Sequence, residues 1–155
     1  MKTSCRKLII SVLIITCLFA ASSALISAYS SATGSYGYIT NVFGYSYRMR
    51  NKVGVGSGAG NIASSFVYIE TLSGTAPTGY MGAQARVFAE DGGLKEWSNW
   101  SYNNSSAYSQ SASSILYTLE VGNSYCSDGI TRAWNGTGYW TYGGVPSPFI
   151  TYYGD

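Results

Sequence analysis

The chain has 155 residues, with nine Lys and Arg against seven Asp and Glu, no histidine, 19 glycines and 15 tyrosines. The absence of histidine excludes Ser-His-Asp and Cys-His catalysis and any zinc site that needs an imidazole ligand. Three of the nine cations (Lys2, Arg6 and Lys7) fall in the first seven residues, so the rest of the chain is near neutral and gives no electrostatic case for nucleic acid.

Those three cations precede an apolar run from Leu8 to Ala21, broken only by Ser11, Thr16 and Cys17. This is the pattern of a secretory signal peptide, with small-residue cleavage points after Ala24, Ala28 and Ala32. The expected division is a signal peptide over 1–32 and a secreted β domain over 33–155, with no membrane span once the leader is removed. Cys5 and Cys17 leave with it, so Cys126 stands alone and no internal disulfide forms. A domain of about 125 residues without disulfides relies on its core, which at this size buries roughly two-thirds of the unfolded surface.

Beyond the leader the chain is rich in Tyr, Gly, Ser, Thr and Asn, with no apolar stripe of helical period, which favours strands and turns. Alternation is clearest from Phe43 to Arg50, predicting Phe43, Tyr45, Tyr47 and Met49 on one face and Ser46, Arg48 and Arg50 on the other. Asn51 to Ser65, with Gly54, Gly56, Gly58 and Gly60, reads as a mobile loop; it lacks the Lys-Ser/Thr ending of a phosphate loop. Phe66 to Leu72 is the next predicted strand. Tyr80 to Glu90 follows, with Met81, Ala83, Ala85, Val87 and Ala89 sharing a face, and Asp91-Gly92-Gly93 turns it into a hairpin with Leu94 to Tyr102.

Asn103 to Ser114 is Ser/Asn-rich and reads as a loop, Ile115 to Val121 as a strand. Ile130 to Trp134 and Tyr139 to Tyr142 flank Asn135-Gly136-Thr137-Gly138, a second hairpin signature, and Phe149 to Tyr153 is a candidate last strand. Short strands separated by glycine turns predict a single all-β domain, an antiparallel β-sandwich or small barrel.

No catalytic residue, metal ligand or cofactor site emerges. Cys126 has no basic neighbour in sequence to activate it and reads as an inert thiol. Glu90, Asp91 and Glu96 surround a turn and read as solvated turn residues, not as a glycosidase pair. The aromatics are the stronger signal: Trp97, Trp100 and Tyr102 are candidates for a binding surface, since exposed rings on a sheet give contact area at low entropic cost. Arg48, Arg50 and Lys52 alternate as a basic stripe suited to an anionic wall polymer or membrane surface.

Two stretches, Gly79-Tyr80-Met81-Gly82-Ala83-Gln84-Ala85-Arg86-Val87-Phe88 and Gly129-Ile130-Thr131-Arg132-Ala133-Trp134-Asn135-Gly136-Thr137-Gly138-Tyr139 with Ser147-Pro148 beyond it, resemble small secreted proteins of unknown function from Bacillus-type Gram-positive bacteria, some of them prophage-encoded. A looser similarity, of size, leader and composition, is to lactococcin 972-type bacteriocins. The expected function is non-catalytic binding to a cell-wall polymer or surface protein in the extracellular space, the alternative being a bacteriocin acting on related bacteria.

Overall fold

A computed structural model describes residues 29–56 and 60–154. The expected signal peptide lies outside the described residues as far as Ala28, as do positions 57–59 of the expected glycine loop. The described chain is all-β, with thirteen strands in three antiparallel sheets, none closed into a barrel.

The first layer is built on β3 (Tyr45–Gly56). One of its edges is covered in tandem by β1 (Tyr29–Thr33) and β2 (Gly37–Val42); the other pairs with β4 (Ile62–Thr71), which pairs with β9 (Ser109–Leu116). A two-residue turn, Phe43 and Gly44, both at positive φ, joins β2 to β3, which matches the right-handed twist of a hairpin.

The second layer consists of two long runs, each interrupted once. The first is β5 (Met81–Gln84) and β6 (Arg86–Ala89), broken at Ala85; the second is β10 (Ser124–Ser127) and β11 (Ile130–Trp134), broken at Asp128 and Gly129. The breaks divide the layer into two sheets. One is ordered β12-β11-β5-β8, with β8 at Ser101–Tyr102 and β12 at Tyr139–Gly143; the other is β13-β10-β6-β7, with β7 at Leu94–Trp97 and β13 at Ile150–Thr151. Both pack on the first layer, making a sandwich.

The inward row of β3 organises the interior. Tyr47 and Met49 pack with Ile39, Val42, Ile69 and Met81 under the β11 sheet, while Val53 and Val55 pack with Ala63, Val87, Ala89 and Tyr125 under the β10 sheet. Each such aliphatic side chain taken out of water contributes about 1.5–3 kcal/mol. Between the two clusters lies Asn51, fully buried. Its Oδ1 accepts from the Gly129 amide at 2.9 Å and its Nδ2 donates to the Val145 carbonyl at 3.1 Å. Nearby, the Ser65 and Ser127 hydroxyls are 2.6 Å apart and the Ser127 amide donates to Ser147 Oγ at 2.9 Å. The break at Asp128 and Gly129 thus frees a backbone amide, and Asn51 satisfies it.

Several expectations are corrected. Residues 51–56 continue β3, and 62–65 belong to β4, because Gly54 and Gly56 form a bed for the Tyr29 ring. A Cβ on Gly54 would collide with that ring, and the Tyr29 hydroxyl reaches Ser64 Oγ at 3.0 Å. Phe43 leaves the Tyr45/Tyr47/Met49 face for the turn and is exposed. The serine-rich segment after Tyr108 is strand β9, not loop, and the strand ends at Leu116 instead of running to Val121. Small inward residues suit β9: Ala112 meets Ala83, Ala85 and Val67 where the two layers approach. Both hairpins occur as expected, and Met81, Ala83, Ala85, Val87 and Ala89 are all buried.

Candidate functional site

A groove of about 590 Å³ follows the open edge of β9. It is lined by Phe66 and Tyr68 of β4, by Ser111, Ala112 and Ser113 of β9, and by residues 98–101, which link β7 to β8 and include its first residue. The strand period creates it. Val67 and Ile69 point into the core, so Phe66 and Tyr68 face outward. Their cross-strand neighbours are Ser113 and Ser111, too short to cover the rings.

The 98–101 segment is held in place. The Ser98 amide donates to the Ala85 carbonyl at 2.9 Å, Ser98 Oγ accepts from the Ala85 amide at 3.0 Å, and Gln84 Nε2 donates to the Ser98 carbonyl at 2.9 Å. Ser98 thereby fills the break between β5 and β6, and this is why the expected strand Leu94 to Tyr102 is split. Gln110 Nε2 reaches Ser101 Oγ at 2.6 Å, tying the segment to β9.

Trp100 is supported from behind. The Arg132 guanidinium lies 4.0 Å from its ring centroid, and Tyr102 stacks beside it with centroids 6.1 Å apart. Arg132 Nη1 donates to the Tyr102 hydroxyl at 2.9 Å and Nε to Thr141 Oγ1 at 3.3 Å. Tyr102 lies flat on Gly82, where an added Cβ would be 2.7 Å from its ring. From Tyr102 the rings continue through Tyr139, Trp134 and Tyr80 to Tyr45 and Tyr47. Trp100 therefore stands on an aromatic chain anchored in the core.

The basic stripe lies on the outer face of the first layer, beside the groove. Arg50 is directly across from Tyr68 and Lys52 from Phe66. Arg48, one step further, is bonded through Nε to Glu70 Oε2 at 2.6 Å. The guanidiniums of Arg48 and Arg50 lie 4.6 and 4.7 Å from the Tyr36 ring centroid. Of the residues singled out from sequence, Trp100 thus lines the groove, Tyr102 backs it, and Arg50 and Lys52 flank it. Trp97 stands apart, opposite Arg86 on β7, 57% exposed and outside the groove. Sequence reasoning missed Phe66 and Tyr68 as surface residues, although their alternation with Val67 and Ile69 carried the signal. It also missed Arg132, whose role depends on contacts across the sheet.

Chemically the groove offers ring faces, hydroxyls and amides. None of the described lining residues is a carboxylate or a thiol. Cys126 is buried, and burial, then Asp128, pushes its thiol up to about 11, so it is protonated at neutral pH. Asp91 accepts from the Gly93 amide at 2.7 Å and from Lys95 Nζ at 3.0 Å, and those bonds lower its pKa. Glu96 Oε1 accepts from the Trp97 amide at 2.9 Å. Among the described residues no three His, Cys, Asp or Glu side chains gather as metal ligands, and no helix is long and apolar enough to cross a membrane. Compared with models of protein families, with curated proteins and with solved structures, the chain finds no match.

Proposed function

We propose that the chain is exported and acts outside the cytoplasm as a non-catalytic binding protein, holding a cell-surface polymer in the groove beside β9. The observation that carries this reading is the composition of the groove: Phe66, Tyr68 and Trp100 supply ring faces, and Ser98, Ser101, Ser111, Ser113 and Asn99 supply donors and acceptors around them. A sugar or polyol chain needs that combination, since its C–H faces stack on aromatic rings while its hydroxyls hydrogen-bond at the rim. The pre-set geometry of 98–101 favours binding, because little side-chain or loop ordering remains to oppose it.

Co-sedimentation with purified Gram-positive cell walls tests the proposal. The protein is expected to pellet with the walls, and Trp100→Ala to weaken binding about tenfold, since one ring contact is worth roughly 1–1.5 kcal/mol. Phe66→Ser with Tyr68→Ser, both on an outer face, should weaken it further without loss of a cooperative melt. Absence of the wild-type protein from the pellet would refute the reading.

A further inference from the structure

We propose that the polymer held in the groove is anionic: a polyol-phosphate chain whose phosphates meet Arg50 and Lys52 while its uncharged units lie over the rings. This rests on the groove reading above and names the chemistry of its ligand.

The argument is one of charge placement. The described residues include six cationic side chains. Three have a carboxylate within ion-pair distance: Arg48 with Glu70 at 2.6 Å, Arg86 with Asp128 at 3.8 Å, and Lys95 with Asp91 at 3.0 Å. Two of the three without one, Lys52 and Arg50, stand across from Phe66 and Tyr68 on the face that carries the groove, while the third, Arg132, projects from the other layer and braces Trp100 from behind. The acid beside the groove, Glu70, two residues from Tyr68 on the same strand face, is neutralised by Arg48. Of the others, Glu96 accepts from the Trp97 amide at 2.9 Å and Glu120 from Asn123 Nδ2 at 2.7 Å, and none of them lines the groove.

Arg50 also has unused bonding capacity: its guanidinium rests on the Tyr36 ring and its Nε has no hydrogen-bond partner. A guanidinium with no carboxylate partner gains a charge-assisted hydrogen bond when a phosphate meets its outer nitrogens. Arg50 and Lys52, two residues apart on one strand face, are spaced by about 7 Å, comparable with the phosphate-to-phosphate step of a short polyol-phosphate chain. A lipid surface fits poorly, because the cations stand beside a groove instead of on a flat apolar face. Nucleic acid calls for a larger basic footprint than two side chains.

Calorimetry with soluble poly(glycerol phosphate), and pelleting with cell walls before and after hydrofluoric acid removes their phosphate polymers, tests this. The protein should bind the soluble polymer and lose at least about tenfold in affinity for stripped walls. Each exposed charge contact is worth about two- to fivefold, so Arg50→Gln and Lys52→Gln combined should cost on the order of tenfold. Lys95→Gln, paired with Asp91 and not part of the groove lining, should bind as wild type. Should that double variant fail to melt cooperatively, Lys52→Gln alone and added salt with the wild type carry the test, both predicted to weaken binding several-fold. Equal binding to stripped walls and no effect of the charge changes would overturn the anionic ligand and leave the groove reading standing. No binding to any wall preparation would overturn both. Equally tight binding of a single-stranded oligonucleotide would also overturn it, since the site would then select charge alone.

Discussion

The two ends of the sandwich are packed from different materials although one strand crosses both. Toward the start of β3 the interior is Tyr47 and Met49 with Ile39, Ile69 and Met81; toward its end it is Val53 and Val55 with Ala63, Val87 and Ala89. The valine end is closed in a tight way, with the Tyr29 ring seated on Gly54 and Gly56. The tyrosine end is continuous with the outside, through the chain of rings that ends at Trp100. The difference shows why so tyrosine-rich a chain folds and also presents rings at its surface. A polar-tipped ring serves in a core or at a water boundary, and the same row of side chains can pass from one to the other.

The largest effect on this comparison should come from the boundary between the two ends. Asn51→Leu keeps the branched shape but leaves the Gly129 amide and the Val145 carbonyl without their partner, a loss of about 3 kcal/mol, visible as a lower denaturant midpoint. The change should weaken both ends together, so loss of near-ultraviolet tyrosine signal and loss of strand signal should remain coincident; separate transitions would show the ends to be independent.

Alkaline pH should separate the ends. Burial pushes Cys126, in the β10 sheet, from 9.0 to about 11, and Tyr47 from 10.0 to about 12, with Tyr45, Tyr80 and Tyr142 adding to the latter. Both folded-state values are raised, so the stability each contributes is fully present below its unfolded value and is lost as pH rises through the folded one. Stability should fall from about pH 9, with Cys126 acting between 9 and 11 and Tyr47 between 10 and 12, each on the order of 2–3 kcal/mol. Denaturant midpoints across this range should show Cys126→Ala removing the earlier part of the fall and Tyr47→Phe the later part; identical profiles in both variants would contradict the assignment.

The smallest effect is a gain. The Tyr47 hydroxyl is buried and has no hydrogen-bond partner. At neutral pH Tyr47→Phe should therefore raise stability by about 1 kcal/mol, read as a higher melting temperature.

Much of this architecture was legible in sequence where side chains advertise a face. Tyr47 and Met49, Val67 and Ile69, and the row from Met81 to Ala89 alternate plainly, and Asp91-Gly92-Gly93 and Asn135 to Gly138 are turn chemistry. The hidden strands are those whose reason lies elsewhere in the chain. Gly54 and Gly56 look like linker residues until Tyr29 is laid on them, and Ser109 to Ser114 looks like a loop until β4 supplies its hydrogen bonds. The site divides in the same way. Trp100 was legible as a ring of uncertain face, but the groove needs Phe66 and Ser113 side by side, 47 positions apart, a pairing no local pattern encodes.

The buried Asn51 also fixes alignment. Strands made of serine, glycine and tyrosine alternate so evenly that a slip of two residues would keep every side chain on its proper face. Such a slip would carry Asn51 into the hydrocarbon beside Met49 or Val53 and strand the Gly129 amide, so one register alone satisfies the polar row. Asn51 thus acts as an index mark between the layers, and it places Arg50 and Lys52, its immediate neighbours on the opposite face, directly across from the rings of the groove.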